Sequence, residues 1–223
     1  ATDQGRGICV GHPVSTAKVF IMVIDDAPRA TLGEELPVGA VGEICVSGPQ
    51  GTRSYFRDDK NTDLHKIKDV HGETWHRVGD VGYRDAEGRI WFCGRKAHRV
   101  VVDDTTYFTE QLEGPFNALR WVRRSALVGP KLHGRVVPTM LLDAHMPAGN
   151  LGLSFPPELA QGVAAAVERI VFRPNFPVDP RHNAKIDRDA LRKEIEASWA
   201  RNAPNVHDMS PSEDLGLTWR RIA

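Results

Sequence analysis

Apolar and polar residues alternate in short segments from about residue 8 to residue 96, and glycines and prolines separate these segments. Alternation with a period of two is typical of β-strands that bury one face. We therefore predict a small, twisted, β-barrel-like subdomain with a turn about every ten residues. The predicted elements are strands over Val19–Ile24, Glu43–Ser47, Glu73–His76, Gly79–Tyr83 and Arg89–Cys93, and a surface helix over Asp58–Lys68.

The pattern changes across Arg95–Val102, a charged and β-branched segment beyond which the predicted strands and helices alternate. Thr109 is a candidate N-cap for the first of these helices. A later segment opens with a proline and carries apolar residues at helical spacing on one side. The predicted elements are a helix over Glu110–Leu119, paired strands over Arg123–Val128 and Val136–Asp143, a helix over Pro157–Ile170, a strand over Val171–Phe176 and a helix over Asp187–Trp199.

These patterns predict an α+β fold with two domains and a tail. Residues 1–96 form the β-subdomain, and residues 97–200 form a compact α+β domain. Residues 201–223 are polar and contain proline, so we expect a tail that adds little to either domain.

The balance of charge argues against two classes of partner. The chain has 29 basic and 29 acidic residues, so its formal net charge is zero, and no basic stripe of the kind that binds nucleic acid is present. The longest apolar run, Val19–Ile24, is much shorter than the ~18–20 residues that a membrane-spanning helix needs. We therefore expect neither a nucleic-acid partner nor an integral membrane segment.

The cysteines and histidines do not form a metal-binding pattern. Cys9, Cys45 and Cys93 are odd in number and widely spaced, which argues against a disulfide framework and against a zinc site. We expect them to be small buried apolar residues in a reducing compartment, and we therefore predict a cytoplasmic protein. The nine histidines do not cluster as ligands either, so no metal site is expected in this chain.

The segment Asn183–Arg188 follows a proline-broken extended stretch and precedes a predicted helix. We expect Lys185 to lie on a short turn between the two, from which its flexible stem can carry a point charge into the site of another domain. A compact ammonium of this kind suits a carboxylate or a phosphate. Taken alone, the segment is also compatible with a solvated surface lysine, which is the more common situation.

A hairpin is predicted about a hundred residues upstream of Lys185. Asp85–Gly88 has the composition of a turn, and the segments Val81–Tyr83 and Arg89–Cys93 on either side of it are strand-like. The two segments are therefore expected to pair as antiparallel strands.

Asp80 lies at the mouth of this hairpin, directly after Gly79, which permits a close approach of the backbone to a ligand. A carboxylate at this position can accept two hydrogen bonds from a vicinal diol such as that of ribose. Arg95, at the far end of the second strand, can add a fork-shaped donor to the same nucleotide. The alternative is a surface hairpin with a capping aspartate and an arginine that forms a salt bridge.

In their order along the chain, these motifs resemble those of the adenylate-forming superfamily. This superfamily contains acyl-CoA synthetases, luciferases and the adenylation domains of peptide synthetases. Coincidence is a poor explanation for five ordered matches. The matching segments are Gly11–Val14, Leu36–Pro49, Gly79–Asp80, Gly94–Arg95 and Asn183–Arg188.

The resemblance implies a domain organisation. Residues 1–96 correspond to the last, β-rich subdomain of a large N-terminal adenylation domain, and residues 97–200 correspond to a mobile C-terminal lid. Lys96 and Ala97 take the place of the hinge between them. The hinge position itself holds Asp or Lys in the family, and Ala97 departs from that pattern. The rest of the adenylation domain, including its glycine-rich phosphate loop, has no counterpart in this chain and is expected to be a partner of it.

The resemblance also implies roles for individual residues. Lys185 corresponds to a catalytic lysine that bridges the substrate carboxylate and the α-phosphate of ATP when the lid is closed. Asp80, supported by Gly79, holds the ribose hydroxyls, and Arg95 supports the ribose or the phosphates. The implied cofactors are ATP and Mg²⁺, and the ligands of Mg²⁺ are expected outside this chain. His98, close to the hinge, is interpreted as a structural residue.

A narrower resemblance comes from Cys93–Val100 and Phe176–Ile186, which are similar to the olefin β-lactone synthetases of bacterial hydrocarbon pathways. The resemblance implies an enzyme that activates a 2-alkyl-3-hydroxy fatty acid with ATP and closes it to a β-lactone. Other enzymes of the hydrocarbon pathway are then possible partners.

Asp104 falls where thioester-forming members of the superfamily carry a glycine beside the pantetheine arm of coenzyme A. An aspartate adds bulk and negative charge there, which favours ring closure by the substrate's own hydroxyl. A fatty acyl-CoA synthetase remains the alternative activity. A non-catalytic lid fragment is the alternative of a different class, and the chain alone is expected to be inactive because it holds only part of the nucleotide contacts.

Overall fold

The computed structural model describes residues 1–144, 166–179, 182–200 and 207–209. The Cα positions divide the chain into two compact units. The first consists of Ala1–Thr2 and Arg6–Ala97, and the second consists of Asp3–Gly5 and the chain from His98 onward. The division after Ala97 falls within a short 3-10 helix, Lys96–His98.

The first unit is built around one antiparallel sheet of six strands. Its elements are β1 (Ile8–Gly11), β2 (Lys18–Met22), β3 (Gly42–Ser47), α1 (Asp59–His65), β4 (Lys66–Lys68), β5 (Thr74–Arg84) and β6 (Ile90–Arg95). The strand order is β1-β6-β5-β3-β2, and β4 pairs with the beginning of β5. Because β1 and β2 lie at the two edges, the sheet is open, and the predicted barrel-like closure is absent from this fully described unit.

Both faces of this sheet are covered. Neighbouring residues on β2, such as Ile21 and Met22, belong to different apolar clusters, and so do Ile44 and Cys45 on β3. Successive side chains on a strand point to opposite faces, so each strand contributes to two cores. The central strands are thereby buried, and the residues that they carry are held in fixed positions.

Two sequence predictions for this unit require correction. The helix predicted over Asp58–Lys68 ends at His65, because Lys66–Lys68 pairs with β5 as β4. Asp58 itself caps α1, since its side chain accepts a hydrogen bond from the backbone N–H of Asn61. Cys9 was expected to be buried and is exposed on the edge strand β1, whereas the other two cysteines are buried as predicted.

The second unit combines a four-stranded mixed sheet with helices and hairpins. Its elements are β7 (Val100–Val102), β8 (Thr105–Tyr107), α2 (Thr109–Asn117), β9 (Val122–Val128), β10 (Lys131–Leu132), β11 (Arg135–Val136), β12 (Thr139–Ala144), β13 (Arg169–Phe172), β14 (Val178–Asp179), β15 (His182–Ile186), α3 (Arg188–Ala200) and β16 (His207–Met209). The sheet order is β16-β13-β12-β9, and β12 and β13 are parallel. Three two-stranded hairpins, β7–β8, β10–β11 and β14–β15, accompany the sheet.

The sheet of the second unit lies between two helices. On one face, Phe116 of α2 packs with Leu127 and Met140 of the sheet. On the other face, the neighbouring sheet residues pack with Leu191 and Ile195 of α3. This burial on both faces explains why residues 126–128 of β9 and 140–142 of β12 are continuous apolar runs.

Several element boundaries in this unit differ from prediction. Helix α2 begins at Thr109, which is inside the helix, and the capping position is Phe108, which makes no side-chain capping bond. Most of the helix predicted over Pro157–Ile170 lies outside the described residues, but its last two residues belong to strand β13, which pairs with β12. Within the predicted tail, His207–Met209 forms a strand that pairs with β13.

The α+β class predicted from the sequence is confirmed. Among the helices that the structure describes, none has the length and apolar character needed to cross a bilayer.

Candidate functional site

Strands β5 and β6 form the hairpin that the sequence predicts around the Asp85–Gly88 turn. Asp80 on β5 is directly opposite Arg95 on β6, at the end of the hairpin away from the turn. The structure therefore brings together two of the predicted nucleotide-binding residues.

Gly79 makes an irregularity in β5 that sets the direction of Asp80. Its backbone has φ +74°, which side chains other than glycine rarely tolerate, whereas an added Cβ would meet no atom within 4 Å. The pairing of β3 with β5 shifts register across this point. The glycine is thus required by backbone conformation, and the bulge re-aims the residue that follows it.

The carboxylate of Asp80 has an acceptor that the described residues do not fully satisfy. Its Oδ1 atom lies 2.9 Å from Nη1 of Arg95, an ion-pair distance. The buried Oδ1 has no other partner among the described residues. Burial raises the pKa of Asp80, and the charge of Arg95 opposes the rise. A buried acceptor of this kind favours a ligand that brings a hydroxyl donor.

Within the described part of the chain, Arg95 is held through one atom of its guanidinium, Nη1. Its Nη1 donates to the carbonyl oxygen of Val78 at 3.3 Å, and half of its side chain is exposed (50%). The guanidinium therefore has donors directed to solvent in addition to its contact with Asp80.

The turn of the hairpin is fixed by Asp85. Its carboxylate accepts hydrogen bonds from Nε1 of Trp91 at 2.8 Å and from Nε of Arg89 at 2.7 Å. Burial alone would raise the pKa of Asp85, but these hydrogen bonds outweigh it and hold the pKa well below its ordinary value. Asp85 thus holds the hairpin in shape, a structural role that the sequence analysis did not assign.

A buried ion-pair network lies beneath β5. Arg77 binds both carboxylate oxygens of Glu43, at 3.2 Å and 2.7 Å, and neither side chain is exposed (0% each). The remaining donors of Arg77 bind the backbone carbonyls of Asp25, Ala27 and Leu64. The sequence pattern did not reveal this network. The period of β5 places residue 77 on the inward side of the strand, but it does not indicate which distant residue is its partner.

Lys96, predicted as a hinge residue, also belongs to this network. Its Nζ lies 3.1 Å and 3.2 Å from the two oxygens of Glu43 and donates to the carbonyl oxygen of Asp25 at 2.8 Å. Ala97, the other predicted hinge residue, is exposed and is the last residue of the first unit.

Lys185 lies in the second unit, and its local structure differs from prediction. It was expected on a turn but belongs to β15, which pairs with β14 through Val178 and Ile186. This pairing extends the backbone up to the start of α3, where Asp187 accepts a hydrogen bond from the N–H of Ala190 at 2.9 Å. The side chain of Lys185 is exposed.

An ion pair between the partly exposed Arg188 and the buried Glu113 anchors the beginning of α3. Arg188 binds both oxygens of Glu113, at 2.9 Å and 2.7 Å, and the N–H of Leu127 donates to the same carboxylate at 2.8 Å. Burial raises the pKa of Glu113 to about 7, against the opposing influence of Arg188 and the amide. The pair ties the start of α3, and thus the end of the Lys185 strand, to α2 and β9.

Asp103 and Asp104 form the tip of the β7–β8 hairpin. Asp103 has φ +50°, a left-handed conformation that glycine adopts most readily and aspartate tolerates better than most residues. By sequence, Asp104 corresponds to the glycine of the family motif. In the structure, the residue with the left-handed conformation is Asp103, one position earlier. Both carboxylates are exposed at this tip.

Among the described residues, no group of three or more potential metal ligands is close enough to hold an ion. The expectation that the ligands of Mg²⁺ lie outside this chain remains a prediction. The predicted binding residues Gly79, Asp80 and Arg95 share the first unit, and the predicted catalytic residue Lys185 belongs to the second.

Comparison with known proteins gives a consistent result. The chain is 42% identical over 215 residues to an olefin β-lactone synthetase of Stenotrophomonas maltophilia (strain K279a), and the match covers 90% of this chain and 37% of that protein. No family model matches the chain. The chain thus spans little more than a third of the length of this relative.

Two solved structures have the same fold over most of the chain. The amide bond synthetase McbA from Marinactinospora thermotolerans has a TM-score of 0.64 and 27% identity, and the match covers 84% of this chain and 36% of that one. The O-succinylbenzoate coenzyme A synthetase MenE from Bacillus subtilis, in complex with ATP and magnesium ion, has a TM-score of 0.65 and 19% identity, with coverage of 82% and 35%. These comparisons confirm the predicted resemblance to the adenylate-forming superfamily.

Proposed function

Since the chain resembles adenylate-forming enzymes in both sequence and fold, we propose that it is the C-terminal part of an ATP-dependent ligase of this kind. Its substrate is a 2-alkyl-3-hydroxy fatty acid, which the enzyme activates as an acyl-AMP and closes to a β-lactone. The first unit is the end of the adenylation domain, and the second unit is its mobile lid. The remainder of the adenylation domain supplies the acyl pocket and the ligands of Mg²⁺.

The observation that carries this proposal is the buried Oδ1 of Asp80, whose one partner among the described residues is Arg95. The vicinal hydroxyls of a ribose are donors of the required kind, and a carboxylate can accept both of them. Gly79 leaves open space where any other residue would place a Cβ. Arg95, half exposed beside Asp80, has further donors for the ribose or a phosphate. The residues present thus fit a nucleotide.

Lys185 supplies the charge that the first step needs. A carboxylate oxygen of the fatty acid attacks the α-phosphorus of ATP, and the bond to pyrophosphate breaks. Two anions must approach each other in this step, so a positive charge near both of them lowers the barrier. The ammonium of Lys185 is exposed on a hairpin of the lid and can be delivered to that position. Magnesium, when bound, shields the phosphates.

The second step needs no external nucleophile. The 3-hydroxyl oxygen attacks the activated carbonyl carbon, the bond to AMP breaks, and the hydroxyl proton is released. The exposed carboxylates of Asp103 and Asp104 support this route over transfer to coenzyme A, because an anionic cofactor would have to approach two negative charges. The relative at 42% identity bears the name of an olefin β-lactone synthetase, which points to the same product.

Product analysis on the whole protein tests the proposal. With ATP, a 2-alkyl-3-hydroxy fatty acid and coenzyme A all present, we expect β-lactone, AMP and pyrophosphate, with coenzyme A unconsumed. Acyl-CoA as the main product would contradict ring closure and establish the alternative, a fatty acyl-CoA synthetase. Nucleotide binding without any pyrophosphate exchange would contradict the adenylation step itself.

A further inference from the structure

Tyr55 lies in the segment before α1 and contacts basic residues of three neighbouring elements. Its hydroxyl is 3.1 Å from Nε2 of His76 on β5. Its ring meets the ring of His65, the last residue of α1, at a centroid distance of 6.1 Å, and Nζ of Lys66 on β4 lies 5.3 Å from the centroid of the tyrosine ring. These four residues, which we name the Tyr55 cluster, all belong to the first unit, and the proposed reaction uses none of them.

The basic groups of the Tyr55 cluster repel one another. Lys66 is directly opposite His76 in the pairing of β4 with β5, and like charges at such positions are unfavourable. Burial, and after it the charges of Lys66 and His65, lowers the pKa of His76. The carboxylate whose charge reaches His65 is Glu43, which Arg77 binds at 2.7 Å. A strand pair that breaks a local rule in this way is typical of a functional position, and a negatively charged ligand would offset the repulsion.

Three carboxylates that flank the Tyr55 cluster in the sequence are engaged elsewhere. Asp58 caps α1. Asp69 accepts a hydrogen bond from Nε1 of Trp75 at 3.2 Å, and Glu73 forms an ion pair with Lys18 at 2.7 Å. These three carboxylates therefore do not neutralise the cluster.

Hydroxyl donors accompany the positive charges of the Tyr55 cluster. Nζ of Lys66 donates to Oγ1 of Thr52 at 3.2 Å, and the hydroxyl of Tyr55 lies beside His76. Thr52 and Tyr55 are exposed and the basic residues are partly exposed, so a ligand can reach them from solvent. A lysine binds a phosphate as a point charge, whereas the fork of an arginine is the better match for a planar carboxylate. An ammonium, an imidazole and two hydroxyls therefore favour a tetrahedral phosphate group.

We propose that the Tyr55 cluster is a binding site for a phosphate group. The ammonium of Lys66 and the protonated ring of His76 supply positive charge, to which His65 adds. Tyr55 and Thr52 supply hydroxyl donors. Because the proposed reaction does not involve these residues, the site does not depend on that activity. Inorganic phosphate and the headgroup of a phospholipid present the same chemical group, so the experiment has an arm for each source.

The protonation of His76 in the whole protein tests the proposal, with inorganic phosphate as the probe. A phosphate binds the charged ring more tightly than the neutral ring, so it should raise the pKa of His76. NMR of carbon-13-labelled histidine follows the ring signal of His76, which is identified by its loss in His76→Phe, while phosphate replaces chloride at pH 6.5 and constant ionic strength. We expect a saturable shift of this signal toward its protonated position. A signal that does not move would overturn the proposal.

Variants of the cluster separate a specific site from general screening. Lys66→Met removes a charged donor and should weaken phosphate binding, measured as the midpoint of the titration, by roughly ten-fold or more. Tyr55→Phe keeps the ring, removes the hydroxyl and should weaken binding to a smaller degree. Lys68→Met, at an exposed lysine on the same strand, is the matched control and should bind phosphate as the native protein does. Native affinity in Lys66→Met, or an equal loss in Lys66→Met and Lys68→Met, would overturn the proposal.

Flotation with vesicles of phosphatidylcholine, with and without phosphatidic acid, distinguishes the two sources of the phosphate group. If the ligand is a free phosphate, the protein binds neither kind of vesicle, and phosphate still shifts the His76 signal. Flotation with phosphatidic acid that is lost in Lys66→Met and kept in Lys68→Met would assign the phosphate group to a lipid headgroup. Both arms measure binding without turnover, so a failure of the proposed activity would not affect their result.

Discussion

The first unit holds Asp80 within a six-stranded sheet, whereas the second unit presents Lys185 on a two-stranded hairpin. Asp80 has a buried oxygen and a bulge that fixes its direction, and Lys185 is exposed. The difference fits the two roles that we propose for these residues. A residue that orients a ligand gains from being fixed in advance, and a residue that must arrive for one step gains from reach.

Despite this difference, the two units share one structural feature, an arginine–glutamate ion pair. In each, an arginine binds both oxygens of a buried glutamate: Arg77 with Glu43, and Arg188 with Glu113. Arg77 precedes Asp80 by three residues, and Arg188 follows Lys185 by three residues. The ion pairs therefore fix the backbone near Asp80 and near Lys185, the two residues to which we assign functional roles, while the exposure of those two side chains differs.

The largest expected effect comes from breaking one of these ion pairs. Arg77→Met leaves Glu43 as a buried carboxylate without its main partner, which should lower the free energy of unfolding of the first unit by about 3–5 kcal/mol. Urea unfolding, followed by the fluorescence of the tryptophans, measures this change. Adding Glu43→Gln should recover part of the loss, and Arg53→Met, at an exposed position, serves as the control. A loss below about 1 kcal/mol would show that the network contributes little.

An intermediate effect is expected at the proposed nucleotide site. Asp80→Asn keeps the shape of the side chain but removes the charge that we propose accepts the ribose hydroxyls. Since a hydrogen bond to a charged group is worth about 1.5–3 kcal/mol, the KM for ATP should rise by roughly ten- to a hundred-fold. Steady-state kinetics of the whole protein, with ATP varied, checks the prediction. An unchanged KM for ATP would remove Asp80 from the nucleotide site.

The smallest expected effect is a pH dependence of the stability of the first unit. Burial, with the neighbouring charges of Lys66 and His65, lowers the pKa of His76, whose Nε2 lies 3.1 Å from the hydroxyl of Tyr55. At pH values just below the ordinary histidine pKa of about 6.5, His76 therefore binds a proton in the unfolded chain but not in the folded unit. The first unit should therefore lose stability as the pH falls below that value.

Unfolding midpoints in urea at pH 7.5 and pH 5.5 measure this dependence. His76→Phe keeps a ring and removes the titrating group, so the difference between the two midpoints should shrink in this variant. A difference as large in His76→Phe as in the native chain would assign the pH dependence to other groups.

The sequence predicted best what depends on neighbours along the chain. The β5–β6 hairpin was predicted correctly from the composition of the Asp85–Gly88 turn, and with it the meeting of Asp80 and Arg95. The residues that specify this hairpin lie within a few positions of the turn, so the local sequence pattern was sufficient to predict it.

Distant contacts were beyond the reach of the pattern. The Arg77 network joins residues 34 positions apart, and Lys96 reaches Glu43 across 53 positions. The strand of Lys185 was mistaken for a turn because β14 and β15 are short and define each other only through their pairing. The helix predicted to end at Lys68 ends earlier for the same reason, because Lys66–Lys68 pairs with β5 as a strand.

The most direct test of the account is pyrophosphate exchange by the whole protein carrying Lys185→Ala. The account predicts a loss on the order of a hundred-fold or more, with unfolding unchanged, because the exposed side chain supports the adenylation step and not the fold. Lys193→Ala, an exposed lysine on α3, is the matched control and should exchange at the native rate. Native exchange by Lys185→Ala would contradict the claim that this ammonium is delivered to the nucleotide held by Asp80.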